Sequence, residues 1–149
     1  MDKTDLAYAA GIIDGEGCIY IDHWKDLRRP GTINYLLRIQ VAMVDKEVPY
    51  WLEGKFGGTT WLVEKSKYDG SNRKNQLVWK ISNKQAIDFL SLIKPFIQVK
   101  YRQIEIAEEF DKTVLRDKSK GRDYTTKERL YNAMHNANQR KHLDLIGGG

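Results

Sequence analysis

The amino-acid sequence predicts an α+β protein built around one antiparallel sheet. Segments whose apolar residues recur at helical spacing alternate with pairs of segments in which apolar and polar residues alternate. The order is helix, strand, strand, repeated once and followed by further helices. Short polar turns join the two strands of each pair, as in hairpins. With 149 residues, the chain has room for one such domain.

The composition narrows the class of protein. A formal charge of +5 and a pI near 9.2 favour a polyanionic partner. The mean hydropathy is −0.60, and we find no apolar stretch long enough to span a bilayer, so no membrane partner is expected. Cys18 is the single cysteine, and the first residues are acidic rather than apolar. We therefore expect a reducing compartment, either the cytoplasm or an organellar matrix, and no secretion.

The first helix is predicted over residues 2–13. Its apolar residues form one stripe: Leu6, Ala9, Ala10 and Ile13. Thr4 or Asp5 is expected to cap its N-terminus, and Gly15 and Gly17 are expected to stop it.

The first hairpin is predicted from strands over 19–24 and 34–41, joined by a turn over 28–31. The period of two gives each strand an apolar and a polar face. The apolar face carries Ile19, Ile21, Tyr35, Leu37, Ile39 and Val41.

The second helix and hairpin repeat this order. The helix is predicted over 45–56, with Asp45 as its N-cap and two glycines at its end. Strands over 59–68 and 76–81 follow, with a turn at 69–72.

The C-terminal part is predicted to be helical. Asn83 can cap a helix that ends before Pro95, and a long helix is expected over 97–115. We predict a core over 1–116 and a basic extension over 117–146 that packs on or beside it. The extension contains a helix over 125–139, and residues 147–149 are expected to be a flexible tail.

Two carboxylates stand where the first helix ends, in the run Asp14-Gly15-Glu16-Gly17. A helix C-terminus already carries partial negative charge, so carboxylates are unfavourable there unless a cation joins them. A hard cation such as Mg²⁺ takes one or two protein carboxylates and keeps several waters. The alternative is a solvated turn without a ligand.

Small residues repeat every fourth position on the same helix, at Ala7, Gly11 and Gly15. Such a stripe allows close approach of another backbone, either that of the protein's own sheet or that of a twin helix. With a twin helix, a twofold axis would bring two copies of Glu16 together, an arrangement suited to attacking two neighbouring phosphodiesters.

Residues 9–17, AAGIIDGEG, resemble the LAGLIDADG motif of the homing endonucleases, with Glu16 at the last acidic position. The likeness continues in IQVAMVDKEVPYWLEGKFGG (39–58) and ISNKQAIDFLSLIKPFIQVKYRQ (81–103), and it covers roughly residues 5–115. The tail LYNAMHNANQRK also resembles the ending of some bacterial members.

The resemblance implies the αββαββα fold, whose saddle of strands lies in the major groove of double-stranded DNA. Members with a single motif act as homodimers, and one motif occurs here. Glu16 and the backbone near Gly15 would bind Mg²⁺ or Mn²⁺, with Ca²⁺ as a non-catalytic substitute. Lys100 matches a peripheral active-site lysine that stabilises phosphate charge or polarises water; the alternative is an ordinary solvated lysine. Asp14 is expected to hold the turn.

The sequence departs from the family pattern at two places. The family's usual acid at the position of Glu16 is Asp. Many relatives also have a polar residue, often Gln, at the end of the second strand, where Met43 stands. Gln40 or Asp45 could serve instead, and Lys46 is the nearest candidate for a basic residue that the family often has in the following turn.

The polar strand faces form the expected DNA-binding surface, because Arg and Gln have geometries that match base edges in the major groove. The alternative for each residue is a solvated polar face. The candidates are Tyr20, Asp22, Trp24, Asn34, Arg38 and Gln40 on the first hairpin and Lys65, Lys67, Gln76 and Lys80 on the second. Turn residues are expected to contact phosphates instead, namely Arg28, Arg29, Arg73 and Lys74.

These observations predict a metal-dependent, site-specific DNA endonuclease that cleaves a long, pseudo-palindromic target, as expected of an intron-type homing endonuclease. The alternative is a non-cleaving binder on the same scaffold, either an intron RNA maturase or a transcriptional regulator. A plain basic RNA-binding α+β domain is a third hypothesis. The three histidines have no ligand spacing with each other or with Cys18, so no zinc site is expected.

Overall fold

The computed structural model describes residues 1–64 and 74–147, with the backbone alone at 118–120 and 140–147. The elements are α1 (Lys3–Glu16), β1 (Gly17–Lys25), β2 (Ile33–Met43), α2 (Glu47–Phe56), β3 (Thr59–Val63), β4 (Gln76–Ser82), α3 (Asn83–Ile93), a 3-10 turn (Lys94–Phe96), α4 (Tyr101–Lys120) and α5 (Tyr124–Gly147). The predicted α+β class and the αββαββα order with extra C-terminal helices are confirmed.

The sheet has four strands in the order β1-β2-β4-β3, and every neighbouring pair is antiparallel. Both predicted strand pairs form, although residues 65–73 of the second lie outside the described chain, and β2 pairs with β4 to join the two pairs at the centre. Strand alternation sends one face of the sheet into the core, as predicted. That face carries Ile19, Ile21, Leu37, Ile39, Val41, Leu77, Trp79 and Ile81, all buried.

The helices cover the apolar face of the sheet. α1 and α3 supply buried side chains to the core, and α4 adds Ile104, Ala107 and Phe110. α5 packs against α4 and along β1, with Leu130 and Met134 buried. In the described part of the chain, no helix is both long enough and apolar enough to cross a membrane.

Two glycines end α2 as predicted and turn the chain into β3. Gly57 and Gly58 have φ values of +78° and +92°, which favour glycine. A Cβ at Gly58 would lie 2.6 Å from the carbonyl oxygen of Lys80. Trp79 closes this corner by donating its indole N–H to the carbonyl of Gly57 at 2.8 Å.

Several predicted boundaries are wrong at the helix ends. Asp2, not Thr4 or Asp5, caps α1 by accepting the N–H of Thr4, and α1 continues through Gly15 to Glu16. Lys46 rather than Asp45 occupies the N-cap position of α2, although the Asp45 carboxylate still accepts the N–H of Glu47.

The C-terminal helices also differ from the prediction. Asn83 is the first residue of α3, with a φ of +57° that Asn tolerates, and Ser82 takes the N-cap position. α4 begins at Tyr101 instead of residue 97 and runs to Lys120, beyond the predicted end at 115. α5 is longer than predicted and ends at Gly147.

Candidate active site and nucleic-acid interface

The junction of α1 and β1 explains the last glycine of the motif. Gly17 ends the helix, and its N–H is bonded to the carbonyls of Ile12 and Ile13, so the chain enters β1 without a loop. A Cβ at Gly17 would lie 2.8 Å from Cα of Ile13, too close for any other residue. The tight exit fixes Glu16 at the very end of α1.

Glu16 is exposed at this helix end. Within the described residues, no hydrogen bond or ion pair engages its carboxylate. No group of three His, Cys, Asp or Glu side chains that could hold a metal is found there either. One chain therefore offers a single carboxylate and neighbouring backbone oxygens to a hard cation, a donor set that leaves room for water and phosphate.

Lys100 lies against the same helix end. Its side chain is buried, with 7% of the residue exposed. The ammonium donates to the carbonyl of Ile13 at 2.8 Å and to that of Gly17. A cation here offsets the partial negative charge at the C-terminus of α1. The alternative of a solvated helix lysine is thus excluded.

Asp14 makes the reciprocal contact. Its carboxylate accepts backbone N–H groups of Gln98, Val99 and Lys100 at 2.8, 3.2 and 3.1 Å. The carboxylate therefore holds the segment before α4, whereas the sequence predicted that it would hold the turn at the end of its own helix. This contact also explains why α4 starts only at Tyr101: residues 97–100 form the loop that Asp14 binds.

The stripe of small residues on α1 faces away from the core. Ala7, Gly11 and Gly15 are exposed. A Cβ added to Gly11 or Gly15 would meet nothing within 4 Å. Because the sheet lies on the other side of α1, packing against the protein's own sheet does not account for the stripe.

The polar residues predicted to bind DNA lie in register on one face of the sheet. Tyr20 pairs with Arg38, Trp24 pairs with Asn34, and Gln40 pairs with Lys80 across β2 and β4. The face opposite the core is thus a polar surface that spans the two central strands and β1.

Side chains on this polar surface bind one another. Arg38 Nε lies 3.1 Å from the Oδ2 atom of Asp22, and the two side chains are 20% and 41% exposed. The hydroxyl of Tyr20 donates to Oε1 of Gln40 at 3.3 Å. Burial raises the pKa of Tyr20, so the phenol stays protonated and able to donate. These contacts orient Arg38 and Gln40 before any ligand is bound.

The remaining candidates lie at the ends of this surface. Arg28 and Arg29 are exposed in the turn between β1 and β2, and Gln76 is exposed at the start of β4. Lys74 is exposed just before β4. Three further candidates and the turn at 69–72 lie outside the described residues, namely Lys65, Lys67 and Arg73.

Met43 points away from the polar surface. The alternation of β2 puts it on the same face as Val41, and it packs against the core. The residues of this strand end that lie on the polar face are Gln40 and Ala42. Met43 is therefore a partly buried residue packed against the core, and it does not take the place of a polar residue on this surface.

Three further residues of this region were not predicted from the sequence. Cys18 is exposed beside Gln40 on the polar face, and Trp61 lies next to Lys80, whose ammonium is 4.8 Å from the ring centroid. Asn138 of α5 donates to the carbonyl of Ile19 at 2.9 Å and ties the extension to the edge strand. Extending the period of two to residues 18 and 61 would have found the first two.

Comparison with known proteins identifies the fold. No sequence model of a protein family matches the chain, and no curated protein matches it in sequence. Solved structures do match. I-CvuI, in complex with the I-CreI target in the presence of magnesium and with DNA not cleaved, is 15% identical with a TM-score of 0.66. The match covers 97% of this chain and 96% of that one.

Two further structures agree. The archaeal intron-encoded homing endonuclease I-Vdi141I, complexed with DNA, is 16% identical with a TM-score of 0.61 over 93% of this chain and 99% of that one. The LAGLIDADG homing endonuclease I-SmaMI, bound to cleaved DNA, is 16% identical with a TM-score of 0.62 over 89% of this chain and 43% of that one.

The chain has the fold of the LAGLIDADG homing endonucleases. The resemblance seen in the sequence is thereby confirmed for the fold. In this homing-endonuclease fold, the junction with Glu16 and Lys100 lies where α1 ends and β1 begins. The polar surface starts directly after it, at Cys18.

Proposed function

We propose that this protein is a site-specific double-strand DNA endonuclease that acts as a homodimer on a long, pseudo-palindromic target and requires a divalent metal. The observation that carries the proposal is the exposed carboxylate of Glu16, at the end of a helix whose small-residue face is bare. Solved structures with this fold include complexes with DNA and one with cleaved DNA, which supports the proposed substrate class.

The dimer follows from the bare face of α1. A second copy of the helix can approach closely over Ala7, Gly11 and Gly15, because these residues carry at most one methyl group. A twofold axis along this contact brings the two Glu16 carboxylates together. One chain supplies only one such carboxylate, so cutting both strands needs the second copy.

Glu16 would hold the metal, with a backbone carbonyl near Gly15 as a further oxygen ligand. The donor set suits Mg²⁺ or Mn²⁺, and Ca²⁺ is expected to support binding without cleavage. The metal would supply charge stabilisation at the reacting phosphate and lower the pKa of a bound water. Neighbouring structures obtained with magnesium and calcium support the use of divalent cations.

The chain's own residues have two other tasks. Lys100 places a buried positive charge at the carbonyl of Gly17, the residue after Glu16, and this charge favours the approach of a phosphate. The polar surface reads sequence: Arg38 and Gln40 reach base edges in the major groove, whereas Arg28 and Arg29 contact phosphates. The formal charge of +5 supports association with duplex DNA.

One observation favours the non-cleaving alternative, a regulator or an intron RNA maturase. The ammonium of Lys100 already donates to two backbone carbonyls, so it serves the local structure. On this alternative, the chain binds nucleic acid through the polar surface and Glu16 has no catalytic task.

Selection from a random duplex library distinguishes the endonuclease from the non-cleaving binder. The purified protein is incubated with the library in Mg²⁺, and cleaved ends are captured and sequenced; a parallel arm in Ca²⁺ captures bound duplexes. We expect one pseudo-palindromic site in both arms, cut only with Mg²⁺. Enrichment of bound sites without cleaved ends would refute the endonuclease and support the binder.

A further inference from the structure

At the candidate active site, the end of α1 and the start of α4 are joined by two charged side chains, each of which binds backbone groups of the other element. The carboxylate of Asp14, on α1, accepts three N–H groups at the start of α4. The ammonium of Lys100, at the start of α4, donates to two carbonyls at the end of α1. Each side chain satisfies backbone groups that a helix end or its flanking loop leaves open. We call this pair of contacts the crossed cap.

Of the two contacts in the crossed cap, the one made by Asp14 holds the backbone that carries Lys100. Residues 97–99 lie outside any helix or strand, and Lys100 is the N-cap of α4, which it joins through its carbonyl by accepting the N–H of Ile104 at 3.2 Å. The N–H groups of 98–100 are held from outside α4. The N–H groups bound by Asp14 include that of Lys100 itself. Removing the Asp14 carboxylate would leave this loop without its three acceptor contacts and release the backbone that carries the ammonium.

We infer that Asp14 is a positioning residue: by binding the backbone of 98–100, its carboxylate places the Lys100 ammonium at the carbonyls of Ile13 and Gly17, at the helix end that carries Glu16. The inference rests on the proposed function for its catalytic consequence. Its structural part stands on the contacts alone. Asp14 is therefore assigned no contact with metal or DNA, and its effect on cleavage passes through Lys100.

Lysine labelling tests the structural part without any activity. The protein is treated briefly with acetic anhydride, and the modification of each lysine is followed by mass spectrometry. Lys84, whose side chain is 81% exposed, is the fast reference. Lys127, whose side chain is 11% exposed, reports on the rest of the fold. In Asp14→Ala we expect Lys100 to react about tenfold faster while Lys127 stays protected.

The matched control is Asp123→Ala. Asp123 also accepts hydrogen bonds at a helix start, from the N–H and hydroxyl of Thr126, but at α5. This variant should leave the labelling of Lys100 unchanged. Asp14→Asn keeps one carbonyl oxygen as an acceptor and should give intermediate labelling, and it serves if Asp14→Ala does not fold. Unchanged protection of Lys100 in a folded Asp14 variant would overturn the inference.

Kinetics test the catalytic part on the selected site. In Asp14→Ala we expect the single-turnover cleavage rate to fall roughly tenfold to hundredfold. The Kd measured in Ca²⁺ should stay within about threefold, since the polar surface is untouched. Released Lys100 with an unchanged cleavage rate would refute the positioning role. If the wild type does not cleave, the proposed function fails, and labelling still decides whether Asp14 holds Lys100.

Discussion

Individual side chains in this protein join distant elements by binding backbone groups. Asp14 and Lys100 bind N–H and carbonyl groups across two helix ends, and Trp79 donates to the carbonyl of Gly57. Asn138 donates to the carbonyl of Ile19 in the same way. The partners in each contact are far apart in sequence, and no local pattern could reveal them.

Tyr35 offers a test at the level of one residue. Its hydroxyl donates to the carboxylate of Glu128 on α5. Burial, followed by this hydrogen bond, raises the pKa of Tyr35 from 10.0 to about 12. A raised pKa means that the folded state holds the proton more tightly than the unfolded state. The contribution to stability is complete below pH 10.0 and is lost as pH rises towards about 12.

We therefore expect the free energy of unfolding to fall between those pH values and to fall less steeply in Tyr35→Phe. Urea unfolding at a series of pH values measures both slopes. Tyr101→Phe, at a tyrosine that is 44% exposed, is the matched control and should keep the wild-type slope. Equal slopes in Tyr35→Phe and the wild type would contradict the assignment.

At the level of elements, periodicity predicted the helices and strands, and long-range contacts set their ends. The alternation in β1 and β2 correctly separated Ile19, Leu37 and Val41 from Tyr20 and Arg38. The start of α4 could not be found from the sequence, because Asp14 supplies the acceptors that keep residues 97–100 out of the helix. The burial of Lys100 could not be predicted from the sequence either, because it depends on the same long-range contacts.

The face of α1 gives a test of the dimer. In Gly11→Leu the new side chain enters open space within one chain, and helix propensity favours the folded monomer by about 1 kcal/mol. The same side chain blocks the approach of a twin helix. We expect the variant to be as stable as the wild type or more so, yet monomeric in sedimentation at micromolar concentration.

Gly54→Leu is the matched control for the dimer. Gly54 is also a helical glycine at which an added Cβ would meet nothing within 4 Å, but it lies on α2. The variant should gain similar stability and remain a dimer. A wild type that sediments as a monomer with DNA present would contradict the proposed assembly.

Over the whole molecule, the polar surface and the helix junction form one continuous region. The sheet brings Tyr20, Arg38, Gln40 and Lys80 together in register, next to the end of α1. The sequence predicted this surface because strand alternation is a local property. It could not predict that Met43 packs against the core or that Asp22 engages Arg38, since those follow from register and tertiary packing.

Substitutions on the polar surface and in the turn between β1 and β2 are expected to change DNA binding in different ways. Arg38→Ala should cost ~1 to 3 kcal/mol on the selected site and relax the choice of base at one position per half-site. Arg28→Ala should weaken binding to all duplexes alike and reduce the slope of log affinity against log salt by about one. Titrations at several salt concentrations against single-base variants measure both effects. Unchanged base preferences in Arg38→Ala would show that this face contacts phosphates and does not read bases.

The central claim is that Glu16 makes this protein a nuclease. The direct measurement compares wild type, Glu16→Gln and Glu105→Gln on the selected site, with cleavage followed in Mg²⁺ and binding in Ca²⁺. Glu105 is an exposed glutamate on α4 that pairs with Arg102, so its variant makes the same charge change and leaves Glu16 intact. We predict that Glu16→Gln binds the site within about threefold of wild type yet loses cleavage by at least about a hundredfold, whereas Glu105→Gln cleaves normally. Undiminished cleavage by Glu16→Gln would contradict the claim.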